Sequence, residues 1–333
     1  MDGQPARPSV SILSGKSILV TGGTGSFGRR FTQRALAEHD PSRVAILSRD
    51  ELKQWEFAEE LGPDPRVRFL LGDVRDPKRL WRAFEGVEIV VHAAALKQVP
   101  AAEYNPFEAI KTNIHGAQNV IDAALDRGVE RVIALSTDKA SSPINLYGAT
   151  KLVSDKLFVA ANAYAGPKPT RFAVVRYGNV VGSRGSVVPF FKRAAASGVL
   201  PITDANMTRF WITLDQGVDF VIDCLSRMRG GELFVPKIPS MRVVDLAKAI
   251  APSARLEVVG IRPGEKVHEQ MISVDDARRT ADAGDFYVIK PDADWWHDDA
   301  STLATPVPDG FSYTSDQNDR WLSVDELREL NES

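Results

Sequence analysis

Short, nearly uninterrupted apolar runs alternate with longer amphipathic stretches over the first half of the chain. The runs lie at 17–21, 43–47, 67–71, 88–92 and 131–135, with 172–176 as a sixth. Their Val, Ile and Leu content fits strands covered on both faces, as in a parallel sheet. The stretches 27–38, 51–61, 77–84, 105–127 and 146–165 read as helices. This repetition predicts an α/β fold with a doubly wound parallel sheet.

The rhythm changes after Arg176. Glycine and proline become frequent, and the strands shorten (210–213, 232–235, 256–259), while helical patterns persist at 215–228 and 243–251. The expected organisation is a flexible extension over 1–15, a nucleotide-binding domain over 16–178 and a smaller, mainly substrate-binding α/β portion over 179–333. Some segments of that last portion can return to the sheet. The tail from Ile289 is rich in Asp, Pro, Ser and Trp and ends in the helical-looking VDELREL.

Composition narrows the function classes. The chain has 333 residues, 44% hydrophobic and 26% charged, with a net charge of −3. That balance offers no global attraction to nucleic acid or an anionic membrane. No apolar run approaches the ~20 residues of a membrane span, and the first fifteen residues lack the apolar core of a signal peptide. Cys224 is the only cysteine, which excludes an internal disulfide and fits a reducing compartment. The five histidines are scattered without metal-ligand spacing, so no metal is expected.

The segment 17–28 reads SILVTGGTGSFG and places Gly22, Gly25 and Gly28 between an apolar strand and a helix. Glycines let the backbone approach a pyrophosphate, and the helix N-terminus supplies unpaired N–H groups. This predicts a Rossmann dinucleotide site, with Thr24, Ser26 and Phe27 in the same turn. The second strand ends in Ser48, Arg49, Asp50, Glu51, Leu52 and Lys53. An acidic residue here would suit the ribose diol of NAD, whereas Arg49, with Lys53 a turn later, argues for the 2′-phosphate of NADP. A solvated charge cluster is the alternative. Asp73 and Val74 follow the third strand, and Ala93, Ala94 and Ala95 follow the fourth, where the dinucleotide would cross the sheet edge.

The run LSTDKASSPINLYGATK from Leu135 carries the candidate chemistry. Tyr147 and Lys151 are one helical turn apart and face the same way. An ammonium beside a phenol favours the phenolate, a base for a hydroxyl proton. Asp138 and Lys139 add a second acid–base pair, which simple alcohol oxidation does not require.

Together, TGGTGSFG, HAAALK, LSTDKA, YGATK and RYGNVVGSRGSVVPFF resemble the extended short-chain dehydrogenase/reductase superfamily. Within it the chain resembles the soluble inverting UDP-N-acetylglucosamine 4,6-dehydratases (5-epimerising) of the pseudaminic acid pathway. The resemblance implies catalytic roles for Thr137, Asp138, Lys139, Tyr147 and Lys151. Tyr147 takes the O4 proton as C4 gives hydride to NADP, Lys151 stabilises the phenolate and Thr137 positions O4. Lys139 is the base at C5 and Asp138 the acid at O6. Hydride returns to C6, and C5 is protonated on the other face. An adjacent aspartate and lysine would ordinarily be charged, so these roles need burial to reverse their protonation.

The resemblance further implies cofactor contacts from Lys97 and Val180. It implies substrate contacts to UDP-N-acetylglucosamine from Lys97, Thr112, Asn113, Asn179, the loop Arg184, Gly185, Ser186, Val187, Val188 and Pro189, the edge strand Val199, Leu200 and Pro201, and Arg209, Arg262 and Glu265. Asn113 has an alternative as a helix-bending structural residue. A cytoplasmic homo-oligomer, a hexamer built from dimers, is also implied, with no nucleic-acid or membrane partner. Rival readings are a UDP-sugar 4-epimerase, a dinucleotide-sensing regulator, and a dehydratase serving capsule or O-antigen sugars.

Overall fold

The six apolar runs become neighbouring strands of one sheet. In the computed structural model, residues 11–182, 187–296 and 304–332 are described. The strands are β1 (Ser17–Thr21), β2 (Arg43–Ser48), β3 (Val67–Leu71), β4 (Ile89–His92), β5 (Arg131–Thr137) and β6 (Arg171–Tyr177). Four later strands join them: β7 (Leu233–Pro236), β8 (Thr280–Asp282), β9 (Phe286–Ile289) and β10 (Thr305–Pro306). The order is β10-β8-β9-β7-β6-β5-β4-β1-β2-β3, with β1 to β7 parallel and the remaining three antiparallel additions at one edge. The order reverses between β1 and β4, which opens a crevice at their C-terminal ends, the usual ligand position in such sheets. Leu19, Val90, Ile133 and Val174 have no exposed surface. This explains why the runs lack polar alternation.

Helices α1 (Ser26–Glu38), α2 (Glu51–Leu61), α3 (Pro77–Ala83), α4 (Gly116–Arg127) and α5 (Leu146–Ala165) connect the parallel strands. The helix expected over 105–127 is divided. A short helix, Pro106–Ile110, passes through a π turn, Lys111–His115, into α4. Gly116 follows the π turn, and a Cβ there would meet Val74 at 2.8 Å, so the loop after β3 lies close against this helix. Residues 11–15, placed within the flexible extension expected over 1–15, are packed against the domain. Leu13 is fully buried in the main core, and the Gly15 N–H donates to the Asp40 carbonyl at 2.9 Å.

Beyond β6 the chain divides between the sheet and a second apolar cluster. Asn179–Val180, Thr208–Ile212 and Ser240–Arg242 form a three-stranded sheet, and Val199–Ile202 pairs with Arg255–Val258. Val188, Phe191, Leu200, Trp211, Met241, Leu246 and Leu327 pack together there. This cluster forms the wall opposite the ends of the parallel strands.

Candidate active site

A cleft of about 940 Å³ runs from the β1–α1 turn to the second cluster, near the upper end of the range for small-molecule sites. At its first end Gly22 has φ +65°, and a Cβ there would lie 2.8 Å from the Ala94 backbone. Only glycine combines that conformation with that approach. A Cβ on Gly28 would lie 2.5 Å from Gly23, so α1 is seated directly on the turn and its N-terminus faces the cleft. The turn residues Gly22, Thr24, Gly25, Ser26, Phe27 and Gly28 all line the cleft, as do Asp73, Val74, Ala93, Ala94, Ala95 and Val180.

At the end of β2, Asp50 caps α2 by accepting from the Lys53 N–H at 3.1 Å and pairs with the Lys53 ammonium at 2.7 Å. Arg49 lies 3.7 Å from Asp73 with about half its side chain exposed. Ser48, Arg49, Asp50 and Lys53 line the cleft. The expected contacts Glu51 and Leu52 do not: both are exposed in the first turn of α2, which turns them to solvent before Lys53 comes round again.

The catalytic candidates converge at the end of β5. Thr137 caps a short 3₁₀ turn, Asp138–Ala140, and α5 begins behind it with Asn145 as its cap. The Thr137 hydroxyl donates to Asp138 Oδ1 at 2.9 Å, and Lys139 Nζ donates to the same oxygen at 3.0 Å. Asp138 Oδ2 is buried and has no hydrogen-bond partner among the described residues. Tyr147 and Lys151 project from α5 into the same cleft. A Cβ on Gly148 would collide with the carbonyl oxygen of Lys139, so this glycine lets the helix and the turn meet.

Burial raises the pKa of Asp138 above the ordinary carboxylate range, against the attraction of Lys139. With one carboxyl oxygen unpartnered, this suits a protonated acid. Lys139 moves the other way from the expectation. Burial disfavours its charge, but Asp138 and Glu269 outweigh burial and hold it as ammonium. Tyr147 is pushed up to about 12 by burial, with Lys139 and a hydrogen bond to Thr137 opposing the rise. In this arrangement burial outweighs the phenolate stabilisation expected of the Tyr–Lys pair. Lys151 is itself disfavoured as a cation by burial, and Asp155, one turn further along α5, supplies its counter-charge.

Of the substrate-side expectations, Lys97, Thr112, Asn179, Val187, Pro201, Arg209, Arg262 and Glu265 line the cleft. Among the described residues, Thr112 Oγ1, Asn179 Oδ1 and Glu265 Oε2 are buried without partners, so each has hydrogen-bonding capacity to offer a polar ligand. Others do not reach it. Asn113 accepts from the Leu96 N–H at 2.8 Å and donates to the Leu96 carbonyl and to Thr150 Oγ1 at 2.9 and 3.0 Å, fastening the loop after β4 to α5. Val188 and Leu200 belong to the second core, and Pro189 and Val199 lie off the cleft. Strand alternation turns Leu200 inward while Pro201 faces the cleft. Arg184, Gly185 and Ser186 lie outside the described residues.

Several cleft residues were not anticipated. Phe190, Phe191 and Arg193 share the helix Val187–Ala194 with Val187, and helical spacing from Val187 would have found Phe190 and Phe191. Glu269 had no local signal. Its Oε1 lies 3.0 Å from Lys139 Nζ and 3.8 Å from Arg209 Nε.

The polysaccharide biosynthesis protein family matches residues 18–291. A curated relative from Campylobacter jejuni subsp. jejuni serotype O:2, an inverting UDP-N-acetylglucosamine 4,6-dehydratase, is 56% identical over 96% of this chain and 98% of its own length. A UDP-glucose 4-epimerase from Rickettsia canadensis is 39% identical over 95% of each chain. Among solved structures, Pen from Bacillus thuringiensis is 36% identical with a TM-score of 0.88, covering 96% of this chain and 98% of that one. The dTDP-glucose 4,6-dehydratase DesIV from Streptomyces venezuelae, solved with NAD bound, is 26% identical with a TM-score of 0.68, covering 75% and 86%.

Proposed function

Since the chain belongs to the polysaccharide biosynthesis protein family and, within it, to the inverting UDP-N-acetylglucosamine 4,6-dehydratases, we propose that it converts UDP-N-acetylglucosamine to UDP-2-acetamido-2,6-dideoxy-β-L-arabino-hex-4-ulose, using NADP without net redox change. The observation that carries this reading is the Asp138–Lys139 pair beside Thr137 and Tyr147 in one cleft.

The β1–α1 turn and the Ala93–Ala95 edge fit a nicotinamide dinucleotide, because the cradle at Gly22 has no room for a Cβ. Arg49 is the residue that would hold a 2′-phosphate. A nicotinamide dinucleotide supplies, when bound, acceptance of hydride from C4 and its return at C6. Tyr147, as the phenolate, takes the O4 proton while Thr137 orients O4, and Lys151 is assigned to stabilise that phenolate. The 4-ketone acidifies C5–H, and Lys139, acting as the neutral amine, removes that proton. Asp138 protonates O6 as the C6–O bond breaks, which leaves water and a C5=C6 bond. Reprotonation of C5 from the opposite face inverts it. Asn179 is assigned to the diphosphate of the sugar nucleotide and Arg209 and Arg262 to the nucleotide, with Lys97 near the hexose and the cofactor.

A 4-epimerase reading draws support from the Rickettsia relative, but epimerisation at C4 uses neither an acid at O6 nor a base at C5. Incubation with UDP-N-acetylglucosamine in heavy water, followed by NMR, separates the two. The dehydratase yields a C6 methyl and one deuterium at C5 without consuming added cofactor, and Lys139→Ala abolishes the C5 deuterium. A product that is only a hydroxyl stereoisomer overturns the proposal. By resemblance we place this conversion at the first step of pseudaminic acid biosynthesis for flagellin glycosylation, in a cytoplasmic hexamer built from dimers.

A further inference from the structure

Glu269 enters the cleft from a segment remote in sequence from every catalytic candidate. Its main chain is fastened on both sides by Ser315: the Glu269 N–H donates to Ser315 Oγ at 2.9 Å, and the Ser315 N–H donates to the Glu269 carbonyl at 2.8 Å. Ser315 Oγ in turn shares a 2.7 Å hydrogen bond with Thr208 Oγ1, on the strand that carries Arg209. The Glu269 side chain is 2% exposed. Its Oε1 contacts Lys139, and its Oε2 is buried without a partner among the described residues. A carboxylate is held this far from water only when its charge is compensated.

We propose that Glu269 is a positioning residue for the dehydration, holding Lys139 Nζ in place and setting the pH at which Lys139 can accept the C5 proton. The inference rests on the dehydratase reading above. Lys139 Nζ is held between two carboxylates, Asp138 on its own turn and Glu269 across the cleft, both at 3.0 Å. The other charged or titratable groups facing this centre are Arg209 from the strand Thr208–Ile212, Lys266 from the loop before Glu269, Tyr147 from α5 and Arg176 from β6. Arg209 and Lys266 push Lys139 toward the neutral amine, whereas the two carboxylates hold it as ammonium. Because burial disfavours ionisation of Asp138, Glu269 is the steadier counter-charge. Its removal leaves two cations facing Lys139 and frees Nζ from one of its two anchors.

The test uses Glu269→Gln, which keeps the side chain's shape, and Glu269→Asp, which keeps the charge but withdraws it by one methylene. The rate of C6 methyl formation and of C5 deuterium uptake is followed by NMR across pH. The limb that rises as the base loses its proton is expected to move to lower pH, by about one unit or more in Glu269→Gln and by less in Glu269→Asp. A uniform loss of rate with the limb unmoved, in whichever variant folds, overturns the inference. Wild-type enzyme that forms no C6 methyl overturns the dehydratase reading instead.

Discussion

Adding one methyl at Gly148 separates two accounts of the site. Helix propensity alone makes Gly148→Ala favourable, by up to ~1 kcal/mol. The tertiary structure reverses the sign. The new Cβ would overlap the Lys139 carbonyl oxygen, with the carbonyl carbon at 3.0 Å and Pro143 Cβ at 3.1 Å. Two of these three neighbours are backbone, so relief requires the 138–140 turn and α5 to move apart. Such overpacking costs typically about 1–3 kcal/mol, so the net effect on stability runs from near zero to a loss of roughly 2 kcal/mol. Activity suffers more, because the turn carries Asp138 and Lys139 while the helix carries Tyr147 and Lys151. A separation on the order of 1 Å costs about a hundredfold in rate. Thermal unfolding and NMR product formation on the same preparation measure both quantities. A variant that melts above wild type and keeps its turnover would refute the claim that this contact sets the site's geometry.

Three further outcomes follow from individual contacts. Arg49→Ala should weaken NADP binding about tenfold, ~1.4 kcal/mol, and leave NAD binding unchanged; equal losses in calorimetric titrations would remove Arg49 from the 2′-phosphate. Asp138→Asn should lower C6 methyl formation by about a hundredfold or more. In wild-type enzyme the acid's contribution should fall as pH rises through its raised pKa, and a basic limb that persists unchanged in the variant would contradict this. His92 is buried, 2.8 Å from Thr21 Oγ1, and burial, with Lys151 next, pushes its pKa down to about 3. The unfolded imidazole takes a proton below about 6.5 and the folded one does not, so stability falls as pH drops below the unfolded value and continues to fall toward the folded one. The slope approaches ~1.4 kcal/mol per pH unit. Melts of His92→Asn between pH 6.5 and 5 should show a shallower slope, and identical slopes would count against it.

Much of the fold and one half of the site were legible in the chain itself. Buried parallel strands need apolar residues on both faces, so all six runs from Ser17 to Tyr177 announced themselves to within a residue or two. The glycine turn and the Thr137–Lys151 run were equally plain, because local backbone geometry dictates Gly22 and one helical turn joins Tyr147 to Lys151. Asn113 had both a ligand-contacting and a structural reading, and it fastens the loop after β4 to α5, while a helix expected to be continuous carries a π turn at Lys111–His115. Which face of the strand Val199–Ile202 meets the cleft could not be read before its packing partner was known, and so Leu200 went to the core and Pro201 to the cleft. Glu269 lies 130 residues beyond Lys139 in the chain, and only the packing of the segment around Ser315 brings the two to 3.0 Å. Side chains that face each other through a helix or a turn are specified by local chemistry. Charges that meet across a cleft depend on how separate segments pack, and protonation follows from those charges together with burial. The chain alone therefore determined the sheet, the glycine turn and the candidate acid–base residues. The tertiary structure decided how deeply they are buried and which charges surround them, and it brought Glu269 to Lys139.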